Sequence, residues 1–413
     1  MTTNSLTLII IGLLFIAACN EKPKEKEETM SEEELMEKAN KLAQQFIITD
    51  GHVDLPYRLV GDGYLGADTL PDLTKRTPTG DFDFERSKAG GLDAPFMSIY
   101  IPASYQETGG AKVFADSLID LVEKIETTYP DHFEIAKDPA KVEKAVSEGK
   151  IALPMGMENG APIEDNLDNV AYFKERGISY ITLTHSKDNQ ICDSSYDTLN
   201  THSGLSEFGE LVVKEMNRVG IMVDISHVSD STFYDVMALS TAPAIASHSS
   251  CRSFTPGWQR NMNDDMIKLL AEKGGVIQIN FGSSFLDSAS QKKFREISDL
   301  VSQYAADNSL ESDDPAVQEY NKKLKVEKGA YSTTEKVADH IDHVVKIAGI
   351  DHVGLGSDYD GVGDSLPEGL KDVAGYPNLI KELLKRGYSD EDMEKICYKN
   401  VWRVWSKVLE AAG

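Results

Sequence analysis

Short runs of apolar and β-branched residues recur along the chain, and stretches whose apolar positions repeat with helical period lie between them. Eight runs stand out: Ile47–Asp54, Pro95–Ile101, Ile151–Glu158, Tyr180–His185, Ile221–His227, Ala244–His248, Val276–Phe281 and His352–Asp358. Helical periodicity marks Asn166–Arg176, Leu205–Arg218, Asp230–Leu239, Asp264–Lys273 and Thr334–Ala348. Gly220 and Gly274-Gly275 follow two of these segments, where helices end. Near-continuous apolar strands separated by helices specify a parallel sheet buried on both faces. Eight such units predict an α/β protein, a closed (β/α)8 TIM-type barrel. The polar, helix-prone stretch Ser283–Tyr331 reads as an insertion before the last strand. Asn378–Arg386, Glu391–Tyr398 and Val401–Ala411 read as a C-terminal helical cap.

The N-terminus follows neither period. An uncharged segment, 1–18, carries an apolar run from Leu8 to Ala18 that is too short to span a bilayer and fits the core of a secretory signal. Small residues before Cys19 resemble a bacterial lipobox, so Cys19 is the expected lipidation site. The Lys- and Glu-rich stretch 19–40 reads as an acidic tether, turning helical from about Glu32 to Gln45, with the folded body over 41–413. Together these place the protein in the cell envelope, lipid-anchored on the periplasmic or exposed side of a bacterial membrane.

Hydrophobic residues make up 41% of the chain and charged residues 27%, ordinary proportions for a folded protein. With 42 Lys and Arg against 68 Asp and Glu, the formal charge is −26. That balance excludes a nucleic-acid partner, because phosphate contacts need clustered cations. Beyond Cys19 only Cys192, Cys251 and Cys397 remain, too few for a disulfide framework. A Cys192–Cys251 bridge is the one pairing to test against isolated thiols.

The chemistry lies where the apolar runs stop. His52 and Asp54, Glu158, His185, His227, His248 and Asp358 terminate six of the eight runs. In a barrel all C-terminal strand ends face one mouth, so these side chains converge. His52 and Asp54 are two apart and on a regular strand share a face. Imidazole and carboxylate together favour Zn²⁺ over a nucleophilic triad. The ligands are too many for one catalytic ion, and two ions bridged by Glu158 account for the surplus.

Asp50-Gly51-His52-Val53-Asp54-Leu55-Pro56, Gly156-Met157-Glu158-Asn159-Gly160, Thr182-Leu183-Thr184-His185, Asp224-Ile225-Ser226-His227-Val228-Ser229, Ser247-His248-Ser249-Ser250 and Val353-Gly354-Leu355-Gly356-Ser357-Asp358-Tyr359-Asp360-Gly361 resemble, in order, the motifs of the membrane (renal) dipeptidases. These are binuclear zinc enzymes of the metal-dependent amidohydrolase superfamily. The resemblance implies hydrolysis of dipeptides by a metal-bridging hydroxide, two Zn²⁺ per chain and a homodimer. It assigns His52, Asp54 and Glu158 to one zinc, and Glu158, His227 and His248 to the other. His185 would polarise the scissile carbonyl and Arg260 would grip the substrate carboxylate, with Arg252 as the alternative clamp. Asp358 would bind the substrate amine and shuttle protons. Val53 stands where many members carry Asn, Tyr57 where some carry Trp, and Ser186-Lys187 where mammalian members have a disulfide cysteine.

His340 and His343 sit on a helix ahead of the last strand, and His352 begins that strand, so none of them, nor His202, is read as a ligand. Asp360 reads as structural. Gly354-x-Gly356 lacks the strand–turn–helix context of a nucleotide loop. The rival functions are a related amidohydrolase acting on another amide, lactam or ester, and a non-catalytic peptide-binding surface lipoprotein.

Overall fold

The computed structural model describes residues 1–2 and 30–413. The rest of the expected signal segment, Cys19 and the tether up to residue 29 lie outside the described residues. The strands are β1 (Ile48–Val53), β2 (Leu92–Tyr100), β3 (Phe133–Ile135), β4 (Ile151–Leu153), β5 (Met155–Glu158), β6 (Ile178–Thr182), β7 (Met222–Asp224), β8 (Ile245–Ser249), β9 (Val276–Ile279) and β10 (Val353–Leu355). All except β3 and β4 close a parallel eight-stranded barrel, with β1 paired to both β2 and β10. The barrel expected from the apolar runs is therefore the fold.

One run divides. Ile151–Glu158 breaks at Pro154, which has no N–H to give a ladder. The first half, β4, pairs with β3 in a separate two-stranded ribbon, and the second half, β5, enters the barrel between β2 and β6. Strand β3 is three residues long, too short for any period to announce it.

The helices Asp230–Leu239 and Thr334–Ala348 fall where the periodicity places them. Polar caps fix several starts: Ser206, Ser229 and Asn263 each accept a backbone N–H from the first turn of the helix that follows. The insertion forms two longer helices, Ser288–Asn308 and Pro315–Glu327, which share a small core of Ile297, Leu324 and Ala330.

The tether is shorter than expected. Ser31 and Glu34 form a capping box that starts the helix Glu32–Gln45, and Leu35, Ala39, Leu42 and Ala43 bury its apolar stripe. Lys381 and Lys385 hold Glu32 at 3.1 and 3.2 Å. Residues 32–40 thus belong to the folded body. Cys192, Cys251 and Cys397 are buried free thiols, so no Cys192–Cys251 bridge forms.

The end of the barrel where strands begin is closed by the C-terminal helix Asn400–Ala411. Its Trp405 packs on Phe96 with ring centroids 5.1 Å apart, in an apolar cluster with Ala94, Tyr180, Met222, Ile245 and Val276. Trp402 Nε1 donates to Thr49 Oγ1 at 2.9 Å, satisfying the one polar atom the indole buries there.

Candidate metal centre at the barrel mouth

The opposite end gathers the polar strand termini. Glu158, last residue of β5, is their hub. Its Oε1 lies 3.0 Å from His227 Nε2, 3.3 Å from His248 Nε2 and 3.6 Å from His185 Nε2. Its Oε2 lies 3.4 Å from His52 Nε2, which is itself 3.4 Å from Asp54 Oδ2. Ligand atoms of His52, Glu158 and His248 lie within 4.8 Å of one another, as do those of Glu158, His185 and His227, and those of His52, Asp54 and Asp358. Every residue expected at a strand end has arrived.

The route by which His52 meets Asp54 differs from simple alternation. Gly51 faces the barrel interior, where a Cβ would lie 2.0 Å from Gln278 Nε2, while Asp50 turns to hydrogen-bond Tyr376. A register irregularity between Asp50 and Val53 then swings His52 to the mouth. Asp54 lies past the strand, at the N-cap of the helix Leu55–Gly61. Two further residues adopt left-handed backbone: His227 at φ 68° and Asp358 at φ 64°. Such conformations cost about 1–3 kcal/mol each and persist where the surroundings enforce them.

The hydrogen bonds fix which nitrogen of each imidazole is free. Tyr180 donates its hydroxyl proton to the Gly51 carbonyl at 3.0 Å, so its oxygen accepts from His52 Nδ1 at 2.8 Å. Ser247 Oγ donates to Asp224 at 2.6 Å and accepts from His248 Nδ1 at 2.7 Å. Arg260 Nη2 donates to His227 Nε2 at 3.1 Å. The Nε2 atoms of all three rings thus converge on the Glu158 carboxylate, that of His227 also accepting from Arg260. Nε2 of His227 and Nε2 of His248 stand 2.9 Å apart.

Electrostatics leave two of the three rings neutral and the third, His52, inclined to hold a proton until a cation replaces it. Burial, with Arg260 among the nearby charges, drives His227 and His248 well below the ordinary imidazole pKa, leaving them neutral, the form that ligates metal. Burial opposes charge on His52, yet Tyr180, Asp54 and Glu158 lift it well above its usual value. Burial would raise Glu158, but His52 and His185 hold it well below the carboxylate range. His52 Nε2 and Asp54 Oδ1 are buried without hydrogen-bond partners. Converging imidazole nitrogens, an ionised Glu158 and orphaned buried atoms fit a cationic metal cofactor.

A cleft of about 600 Å³ opens onto this centre, lined by Asp54, Tyr57, Tyr100, Glu158, His185, Ser186, Tyr196, His227, Phe285, Val362 and Asp358 among others. Burial raises Asp358 to about 7, and Asn280 Nδ2 donates to its Oδ2 at 2.7 Å. His185 reaches the cleft edge-on to Tyr100, ring centroids 4.8 Å apart. Arg260 is 2% exposed and lies behind His227, held by Ser249 Oγ and the His248 carbonyl, each at 2.8 Å. Arg252 is committed elsewhere, to a two-pronged pair with Asp230 at 2.5 and 2.7 Å.

The histidines set aside have structural partners. His340 accepts from Cys251 N, His343 pairs with Asp264, and His202 and His352 meet the Asn189 and Gly275 carbonyls. Sequence reasoning missed Tyr180, Asp224, Ser247 and Asn280, which orient His52, His248 and Asp358. Asp224 and Ser247 were visible as the polar residues preceding two strand-end histidines. Tyr180 and Asn280 carried no signal of their own.

Residues 36–413 match the membrane dipeptidase family, peptidase family M19. Dipeptidase verJ of Clonostachys rogersoniana is 34% identical over 390 residues, covering 91% of this chain and 88% of that protein. The probable dipeptidase PvdM of Pseudomonas aeruginosa superposes with a TM-score of 0.76 at 26% identity, covering 92% of this chain and 100% of its own. A metallo peptidase of Rhodobacter sphaeroides, solved with a phosphinate mimic of the dipeptide L-Ala-D-Ala, gives 0.70 at 26% identity, covering 88% and 99%.

Proposed function

The chain belongs to the membrane dipeptidase family and is a metal-dependent hydrolase of dipeptidase type; we propose that it cleaves dipeptides with two zinc ions, one held by His52, Asp54 and Glu158, the other by Glu158, His227 and His248. The observation that carries this reading is the convergence of three imidazole Nε2 atoms on the two oxygens of one buried carboxylate. Bound zinc would supply Lewis acidity and a water made nucleophilic near neutral pH.

The protein's own groups do the rest. His185, at the cleft wall, is placed to donate to the carbonyl oxygen of the scissile amide as negative charge grows there. Asp358, raised to about 7, can hold a proton at its carboxylate near neutrality and return it to the departing amine. Arg260 has an unpartnered Nε, and its Nη2 is freed from His227 once a cation takes that lone pair. It would then hold the substrate's terminal carboxylate, which limits substrates to those ending just past the scissile bond.

The test is a panel of free, N-acylated and C-amidated dipeptides, in both configurations at the second residue, assayed before chelation, after it, and after adding back zinc. Free dipeptides should be cleaved only with metal, and amidated ones poorly. Equal cleavage of amidated substrates would favour an amidohydrolase of other specificity. Absence of metal-dependent cleavage, with no metal bound, would favour a peptide-binding lipoprotein.

Anchoring through a lipidated Cys19 in the cell envelope belongs to the same reading, supported by the apolar run before it and the acidic tether after it. Among the described residues no helix is long and apolar enough to cross a membrane. Cys19→Ala should move the enzyme from the membrane to the soluble fraction.

A further inference from the structure

Asp360 is a buried acid that the reaction above does not use. Its side chain is 0% exposed although its backbone lies in a loop at the mouth, and φ is 65°. Two segments far from it in sequence meet on it. Arg58, from the helix that Asp54 caps, places Nη1 at 3.3 Å from Oδ1 and 3.2 Å from Oδ2. Asp81 N donates to Asp360 Oδ1 at 2.5 Å, and Asp360 N returns a bond to Asp81 Oδ2 at 2.9 Å. Arg58 is clasped in turn by the Thr79 and Phe82 carbonyls at 3.3 and 3.2 Å. Gly80, at φ 74°, makes that clasp fit, since a Cβ there would lie 1.7 Å from Arg58 Nη1.

The next residue, Gly361, is wedged between the two acids that matter. Its Cβ position lies 2.1 Å from Asp54 Oδ2 and 2.3 Å from Asp358 Oδ1. The same loop is bonded to the end of β1: Asp54 N donates to Tyr359 O at 2.8 Å and Asp358 N to His52 O at 3.1 Å. Two carboxylates this close repel, and within their own elements only these two backbone bonds oppose their separation.

We propose that the Arg58–Asp360–Asp81 cluster is a positioning clamp for the hydrolytic reaction: it holds the Asp358–Gly361 loop against the helix capped by Asp54, and so sets the separation of a metal-ligating carboxylate from a proton-handling one. The inference rests on the dinuclear hydrolase reading. Asp360 meets the cleft only through its backbone, its side chain being fully buried, and with Arg58 and Asp81 it acts as a positioning residue. Displacement of either carboxylate by about 1 Å is the scale at which catalysis falls roughly a hundredfold.

The test uses the full chain with metal bound and the variants Asp360→Asn, Gly80→Ala and Arg58→Lys. Asp360→Asn keeps the shape and removes the charge. Gly80→Ala removes no charged group, but its Cβ displaces the Arg58 guanidinium and strains a backbone held at φ 74°. Both should lower kcat about 10- to 100-fold with KM changed less than about threefold, the range expected for groups that orient ligands. Both should also lose metal to a competing chelator at lower concentration than the parent. Arg58→Lys, which keeps the charge, should lose less kcat than either. Arg76→Gln, which breaks an exposed pair with Asp372 beside the same loop, is the control and should change neither reading.

Folded variants with kcat within twofold of the parent and unchanged metal retention would overturn the clamp. If Asp360→Asn fails to fold, Gly80→Ala decides. If the parent cleaves no dipeptide, the functional reading fails, yet chelator competition still reports on the clamp.

Discussion

The two ends of this barrel are built from the same strands and obey opposite rules. At the floor, Trp405, Phe96, Tyr180, Met222 and Ile245 bury apolar surface, and the indole N–H of Trp402 finds Thr49. At the mouth, five ligand-type residues are almost wholly buried, some of their polar atoms have no partner, and His227 and Asp358 hold left-handed backbone. The floor leaves one buried polar atom, Trp405 Nε1, without a partner, whereas the mouth leaves several, on His52, Asp54, His185, His227 and Arg260. One end therefore supplies the stability against which the other can hold converging charge and strain. Tyr180 joins the two, since its ring lies in the floor cluster and its hydroxyl fixes His52.

The contrast can be broken by mutation. His227→Ala should lower kcat/KM about 10³-fold, the upper range for losing a preorganised electrostatic group, and remove one of two bound metals. The metal-free variant should unfold at an unchanged or higher denaturant concentration, because a buried ring with an unpartnered Nδ1 has gone. Trp405→Ala should do the reverse. A loss of about 3–5 kcal/mol in denaturant unfolding is expected for a fully buried indole, with kcat of the folded protein unchanged. A floor variant that lowers kcat while folded would abolish the division of labour.

Acids at the two ends provide a finer comparison. Burial lifts Asp93, at the start of β2, to about 6. Its folded pKa lies above the ordinary carboxylate value, so the native state binds more protons, and stability falls as pH rises from about 4 through 6. Asp93→Asn should match the parent near pH 4 and exceed it by about 1–3 kcal/mol at pH 8, measured by denaturant titration. The same substitution should leave the pH dependence of kcat unaltered. That dependence should follow Asp358, with activity changing near pH 7 and the feature lost in Asp358→Asn. The smallest effect is at the cleft wall, where Phe285→Ala should raise KM for apolar dipeptides about fivefold, as expected for roughly 1 kcal/mol of lost contact, with kcat retained.

The mouth was more legible in the sequence than its supports. A His, Asp or Glu ending an apolar run contradicts its surroundings, and six such contradictions at the same point of a repeating unit locate the site without a contact map. Tyr180 offers no contradiction, because an aromatic residue inside a strand is ordinary. Asp360 looked like a loop acid, since its partners Arg58 and Asp81 are about 300 residues away along the chain. The barrel was legible through its runs, but Pro154 divided one of them and β3 was too short to show a period. The helix Glu32–Gln45 was visible as a helix, while its packing on the body was hidden under the charge of the tether.

The pairing of β1 with β10, Asp50 opposite Leu355, and the sealing of the floor by Asn400–Ala411 also set the order of assembly. The first strand of the ring has no second neighbour until the last strand has been synthesised, and the plug is made later still. Closure by contacts this distant in sequence is slow and comes at the end of folding. A nascent chain of this design keeps an open sheet edge through most of its synthesis, with the ring completed only after β10 has been made.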